Sequence, residues 1–167
     1  SNDVNEIGGM FGYADGPTRI ERSHILVEVR GEDDIGGVVG RSSSTLTLTN
    51  VRVDGVPRGN ENVGGAVGRS SSTLTLTNVD RDGNTDGEEF LGGLLGSADG
   101  GVVSLSGIRV LDGEVNNGDD VVGGLIGIVS ATNATLHDVT VEDPTGSWSV
   151  NGDDENTGGL IGVVATG

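Results

Sequence analysis

The chain has no cysteine and only 2% aromatic residues, and its nine basic residues are all arginine. Without cysteine there are no disulfide staples and no thiolate metal sites, while the redox compartment stays open. With so few rings, the interior cannot be filled by aromatic packing, so Val, Leu and Ile must build a thin core. No apolar run approaches the roughly 20 residues of a membrane-spanning helix, so no such span is expected. The 3.6-residue pattern of an amphipathic helix appears nowhere, and the opening residues lack a signal-peptide pattern. The chain opens Ser1-Asn2-Asp3 and closes Ala165-Thr166-Gly167 part-way through a repeat. It is therefore expected to be processed, or excised from something longer.

Positive charge is scarce as well. Twenty-six acids against nine bases give a net charge of -17. Such a surface repels nucleic acid and anionic membranes, so neither is expected as a partner. An acid excess with no lysine resembles proteins of extreme halophiles. There, carboxylates hold a hydration layer and salt screens their repulsion, the Debye length being about 3 Å near 1 M.

What is abundant is glycine, at 32 residues, and its placement is periodic. Ile35-Gly36-Gly37-Val38-Val39-Gly40 recurs in variant form, with the first glycine at 8, 36, 64, 92, 123 and 158. The intervals are 28, 28, 28, 31 and 35 residues. A fixed period of this size marks stacked repeats. Between the glycine segments, Thr45-Leu46-Thr47-Leu48-Thr49 alternates polar and apolar residues, as a half-buried strand does. Residues 73–77 repeat the same five letters. Ser104–Val110 and Thr135–Val141 take the same place in later units, and the longer intervals are assigned to insertions near Gly100-Gly101, Asn116-Asn117 and Pro144–Asn151. The pattern predicts an all-β, parallel β-solenoid in one domain spanning residues 1–167. Its five to six coils of about 28 residues begin near 7, 35, 63, 91, 122 and 157. The crossover rule favours a right-handed winding. At about 4.8 Å per coil, five intervals give a rod of roughly 24 Å.

Stacking places residue i over i+28. Leu46 should lie on Leu74 and Leu48 on Leu76. Ile35, Val63 and Leu91 should form one aliphatic file, and Val39, Val67 and Leu95 another. Asn50 over Asn78 should form an amide ladder at a corner, with His24, Gly107 and Asp138 as its equivalents. Parity along the glycine strand leaves two readings. If Ile35, Gly37 and Val39 face inward, then Met10, Val38, Ala66, Leu94, Leu125 and Leu160 form an outward apolar strip suited to docking a partner. If the double glycine bends the strand, both sets are buried.

The GGLIG segments at 123–127 and 158–162, GGLLG at 92–96 and the strand-Asn-strand segment after them resemble the GLUG-type repeats of secreted bacterial and archaeal surface proteins. With the acidic composition, the resemblance points to a haloarchaeal type. It implies an extracellular structural or adhesive module of a surface protein, filament or viral appendage, working by interaction and without catalysis in a high-salt setting. The rival expectation is a polysaccharide-binding or polysaccharide-degrading β-helix.

Candidate sites follow. Asp33, Asp34, Asp86, Glu88, Asp119, Asp120, Asp153 and Asp154 lie in acidic turns before glycine strands. Stacked, they could offer Ca²⁺ the six to eight oxygens it takes, although no EF-hand loop or nonapeptide calcium repeat is present. Calcium is thus the one cofactor weighed. Solvation in high salt explains the same residues. The paired Thr45–Thr49 and Thr73–Thr77 strands raise a minor alternative, an ice-binding face. His24 and His137 fall in separate coils and form no catalytic set. Asn133-Ala134-Thr135 is a glycosylation pattern. Trp148 is an anchor for a partner if exposed. Expected partners are other proteins, surface glycans, or copies of the chain stacked head to tail.

Overall fold

A computed structural model describes residues 5–111, 113–142, 149–152 and 156–165. Every described element is a strand, and every strand pairing is parallel. The chain winds as a β-solenoid through three sheets. Sheet A holds Ile7–Gly8, Asp33–Gly36, Glu61–Gly64, Glu89–Gly92, Val121–Gly123 and Asn156–Gly158. Sheet B holds Phe11–Ala14, Val39–Ser42, Val67–Ser70, Leu95–Ala98, Ile126–Val129 and Ile161–Val164. Sheet C is the long side of each coil. In the first two coils it is one strand, Thr18–Arg30 and Leu46–Arg58. Later coils break it in two, as Leu74–Asp82 then Thr85–Asp86, Val102–Leu111 then Glu114–Gly118, and Asn133–Glu142 then Ser149–Gly152.

The register is that of the repeat. Leu46 pairs with Leu74 and Leu48 with Leu76. Ile35, Val63 and Leu91 form a file, as do Val39, Val67 and Leu95. The fourth coil takes up its three extra residues one corner at a time. The offset is 28 at Ser70–Ala98, 29 at Leu74–Val103, 30 at Thr85–Val115 and 31 at Leu91–Val122. The larger insertion of the fifth coil lies between Glu142 and Ser149, where the offset to the coil beneath moves from 31 to 35.

Two files of left-handed residues make the corners. Arg22, Asn50, Asn78, Gly107 and Asp138, with φ from 48° to 63°, bend sheet C. Glu6, Asp34, Asn62 and Phe90, with φ from 52° to 61°, turn the chain into sheet A. Asn, Asp and Gly suit this conformation because a short polar or absent side chain relieves the clash that excludes others. Arg22, rather than the expected His24, is the first-coil equivalent of Asn50. Glu21 pairs with Thr49 and Ser23 with Val51, which leaves residue 22 opposite 50.

The three glycines of each GGxxG segment answer three different contacts. A Cβ on Gly36 would lie 2.1 Å from the Val39 carbonyl, inside the turn. A Cβ on Gly37 would meet the Gly65 carbonyl of the next coil at 2.3 Å. One on Gly40 would strike the backbone of the strand leading into sheet A, at Asp34 O, 2.5 Å away. Sheets A and B therefore pack backbone against backbone at this corner.

This corner decides the parity question, and the outward strip is overturned. Val38, Ala66, Leu94 and Leu125 are fully buried; only the terminal members Met10 and Leu160 are exposed. The reason is a bulge. The N–H groups of Val38 and Val39 both donate to Ala66 O, at 2.9 and 3.1 Å, and the same sharing recurs at Ala66/Val67, Leu94/Leu95 and Leu125/Ile126. Two consecutive residues against one carbonyl break the alternation, so both side chains turn inward. The interior has two lobes. The larger lies between sheet B and the first half of sheet C and includes Val38, Val39, Leu46, Leu48 and Val51. The smaller, Val29, Ile35, Val63, Leu91, Val115 and Val122, lies behind sheet A.

One aliphatic file of the core contains a charged residue. Arg81 stands in the file Ile25–Val53–Arg81–Val110–Val141 and is completely buried. Its Nη2 donates to Gly55 O at 3.0 Å and Asn84 O at 2.8 Å, and its Nη1 donates to Asp82 O. In this coil the long strand breaks between Asp82 and Thr85, and the guanidinium supplies donors beside the break. Burial pulls its pKa down to about 10 against the opposing pull of Asp82 and Asp54. Arg81→Met keeps the length and removes the donors. Each buried carbonyl left bare costs about 1–3 kcal/mol. Urea unfolding should therefore show a loss of about 2 kcal/mol or more; an unchanged midpoint would contradict this role.

Candidate functional site

A concavity follows the bend of sheet C. It is a furrow of about 570 Å³ running along the rod axis. One wall is the left-handed corner file, with Asn50, Asn78, Gly107 and Asp138; the other is the file of Arg52, Asp80, Arg109 and Thr140. Five successive coils contribute, from Ser23 in the first to Asp138 and Thr140 in the fifth. The walls exist because a left-handed residue interrupts the alternation. Residues 49 and 52 both point outward, and the corner residue stands between them.

The corner amides form the expected ladder. Asn78 Nδ2 donates to Asn50 Oδ1 at 3.0 Å. Above Asn78 the file continues as Gly107, where a Cβ would lie 2.5 Å from Asn78 Oδ1. With no side chain there, the Asn78 carbonyl oxygen sits against Gly107 where a Cβ would otherwise crowd it. On the opposite wall the arginines lean away from the furrow. Arg52 reaches Asp54 at 2.9 Å and Asp82 at 3.0 Å, and Arg109 reaches Glu142 at 3.3 Å. His24 adds Nε2 to Asp54 Oδ2 at 2.6 Å. Partial burial pushes the Asp54 carboxyl upward, but hydrogen bonds from Arg52 and His24 outweigh it and leave the pKa lowered. Asp80, between two arginines in its file, has no ion pair or hydrogen bond among the described residues. Charge alternates along the furrow as Arg52, Asp80, Arg109, Asp138, which sums to zero. Such a lining offers fixed donors and acceptors for hydrogen bonding.

Beside the furrow, the outward side of the first half of sheet C carries hydroxyls in register. Thr47, Thr75, Ser104 and Thr135 make one file, and Thr49, Thr77 and Ser106 another. Ser104 and Ser106 extend the array from the paired Thr-Leu strands, as the sequence suggests, and Thr135 carries one file a coil further. Two smaller hollows, of about 390 and 380 Å³, flank Arg30 and Arg58 on the second half of the long side, where Arg58 bonds Asp86 at 3.1 Å.

The acidic turns do not form a cage. Among the described residues no group of three or more His, Asp or Glu side chains is placed to hold a metal ion. Asp34 is turned inward at a corner, 3.8 Å from Arg41. Asp86 is engaged by Arg58, Asp33 lies in a sheet A strand paired with Glu61, and Glu88, Asp119 and Asp120 sit along the edge leading into sheet A. Asp153 and Asp154, like Trp148, lie outside the described residues. Edge carboxylates do feel one another. Desolvation, then Asp120, Glu61, Glu88 and Asp119, push the Glu89 carboxyl upward. Asn133 is exposed at the start of its strand.

Sequence reasoning missed Arg52, Asp80 and Arg109 as one file. The offset of 28 aligns the first two. The extra residue before Val103 shifts the third to an offset of 29 and hides it.

Asp34 yields a prediction with a definite sign. Burial raises its pKa above the ordinary 3.8, against Arg69, Arg41 and Asn62, which lower it. The folded chain therefore holds an extra proton between 3.8 and the raised value, and stability falls as pH rises through that window. Asp34→Asn copies Asn62, the residue one coil above. It should raise the melting temperature at pH 7 and flatten the acid-side rise in stability seen for the parent; a lower melting temperature would count against it. The chain matches no family model, no curated protein and no solved structure.

Proposed function

We propose that the chain is a structural and interaction module of an extracellular surface protein, filament or viral appendage, working by contact and not by catalysis. The observation that carries this reading is the furrow. It is an open, axial surface lined by repeated hydrogen-bonding side chains, held on a rod whose every coil supports the next. The resemblance of the GGxxG segments to GLUG-type repeats of secreted proteins adds to it. So does the acid surplus, which keeps an exposed rod hydrated where salt is high. Exposed apolar residues gather in the first coil at Met10, Phe11, Tyr13 and Leu26 and in the last at Leu160 and Val164, where contacts with further protein would be made. Immuno-electron microscopy of intact cells or particles that make the chain tests the reading. Label on the outer surface supports it; label confined to the cell interior refutes it.

The high-salt setting has its own test. With a net charge of -17 and neighbouring carboxylates that help push the Glu89 carboxyl upward, screening relieves repulsion in the folded rod. Between 0.1 and 2 M KCl the melting temperature should climb by about 10 °C, which at 2–4 °C per kcal/mol corresponds to about 3 kcal/mol. A flat profile would remove halophilic solvation as the reason for the acids.

A further inference from the structure

We infer that the furrow binds an extended, neutral polysaccharide chain lying parallel to the rod axis, with about one sugar unit per coil. The inference rests on the contact-module reading and supplies its partner.

Three observations lead there. The first is spacing. The furrow presents one corner residue and one wall residue at each coil, about every 4.8 Å, with the wall charge changing sign from Arg52 to Asp80 to Arg109. A pyranose unit advances an extended glycan by close to the height of one rung, so each unit can meet one coil. An extended peptide advances about 3.3 Å per residue, so successive residues miss successive coils and only every third one lines up again. The backbone along this stretch is also committed to the ladder between coils, which leaves no free strand edge for a peptide to pair with.

The second is charge. Arg52 and Arg109 alternate with Asp80 and Asp138, so the furrow has no net sign. A polyanion would meet two carboxylates inside it and a protein of net charge -17 around it. A neutral polyol meets neither penalty.

The third is the inventory of unused groups. Asn50 gives its Oδ1 to the ladder and keeps its amide N–H groups. Asn78 keeps its Oδ1, which lies beside the side-chain-free Gly107 and is not spent on the ladder. The Asp80 carboxylate has no partner among the described residues. Arg52 and Arg109 keep N–H groups beyond those spent on Asp54, Asp82 and Glu142. Sugar hydroxyls both donate and accept, so they can use all of these at once. Gly107 removes one wall side chain in the fourth coil, which widens the furrow for a branch or a bulky substituent.

The test is calorimetric titration of the chain, in high salt, with neutral β-linked gluco-, galacto- and manno-oligosaccharides of one to eight units. A uronic-acid series of equal lengths and extended peptides serve as comparisons. At least one neutral series should bind with affinity rising up to about five units, the number of coils in the furrow, and level beyond. Asn78→Ala and Asp80→Ala should each weaken that binding about fivefold, the worth of one hydrogen bond, with circular dichroism unchanged. Gly107→Asn suits the left-handed corner and should weaken it by narrowing the furrow. Absence of binding by every neutral series overturns the inference. So does binding without length dependence, binding indifferent to Asn78→Ala and Asp80→Ala, or preference for the uronates or peptides. These results leave the contact-module reading intact. Cleavage of a bound oligosaccharide would instead support the ligand class and overturn the non-catalytic role.

Discussion

A parallel ladder along one axis imposes a single demand: each residue must tolerate its counterpart one coil away. Backbone groups that point along the axis have no other partner, and leaving them unpaired in a buried stack is costly. The register is therefore held from coil to coil even where sequence lengths differ. The fourth coil shows how strictly. Its three surplus residues are taken up singly, at three separate corners, and the strands between them stay in step. Strands in this molecule are constrained; corners absorb variation.

The same demand explains the glycines and the corner residues. Where sheets A and B fold against each other there is no room for Cβ atoms, because backbone from the same coil and the next fills the space. Where sheet C bends, a left-handed residue recurs in every coil, and the chain uses Asn, Gly or Asp in four of them and Arg22 in the first. Phe90, left-handed in a file with Asp34 and Asn62, adopts a conformation its own side chain disfavours because its neighbours fix it. Arg81 is the opposite case. Local sequence places a charge where the stack wants a valine, and the guanidinium is tolerated because a strand break leaves carbonyls for it to serve.

Outside the tube, stacking turns single residues into files. An isolated Asp80 or Arg109 says little. Ranked above Arg52 at rung spacing, they become the wall of a furrow. Function in such a fold resides in periodic surfaces, so the partner expected is one with a matching period. The ion pairs on the outer side of sheet C run diagonally between files, as Arg52 does to Asp54 and Asp82. They draw the wall arginines away from the furrow while leaving some of their donors unspent, and being partly exposed they add little to stability.

Sequence alone determined the coil. The 28-residue interval, the Thr-Leu alternation and the GGxxG segments fixed the fold class, the aliphatic files and the Asn50–Asn78 ladder, because a stack writes its period directly into the chain. Parity did not decide the facing of Val38, Ala66, Leu94 and Leu125. The double glycine offered a bend that buries both sets as one of two readings, but a bulge in which two amides share one carbonyl depends on the coil above and only the stack chose between them. Nor did spacing bring together Arg52, Asp80 and Arg109, since a one-residue insertion at a distant corner shifts the numbering. The acidic turns looked like a possible cage because they share an edge in sequence order. Three-dimensional placement turned Asp34 inward, gave Asp86 to Arg58 and left the other described members without a common centre. The tertiary structure alone decided which side chains meet, because contacts between coils depend on where each corner places its extra residue.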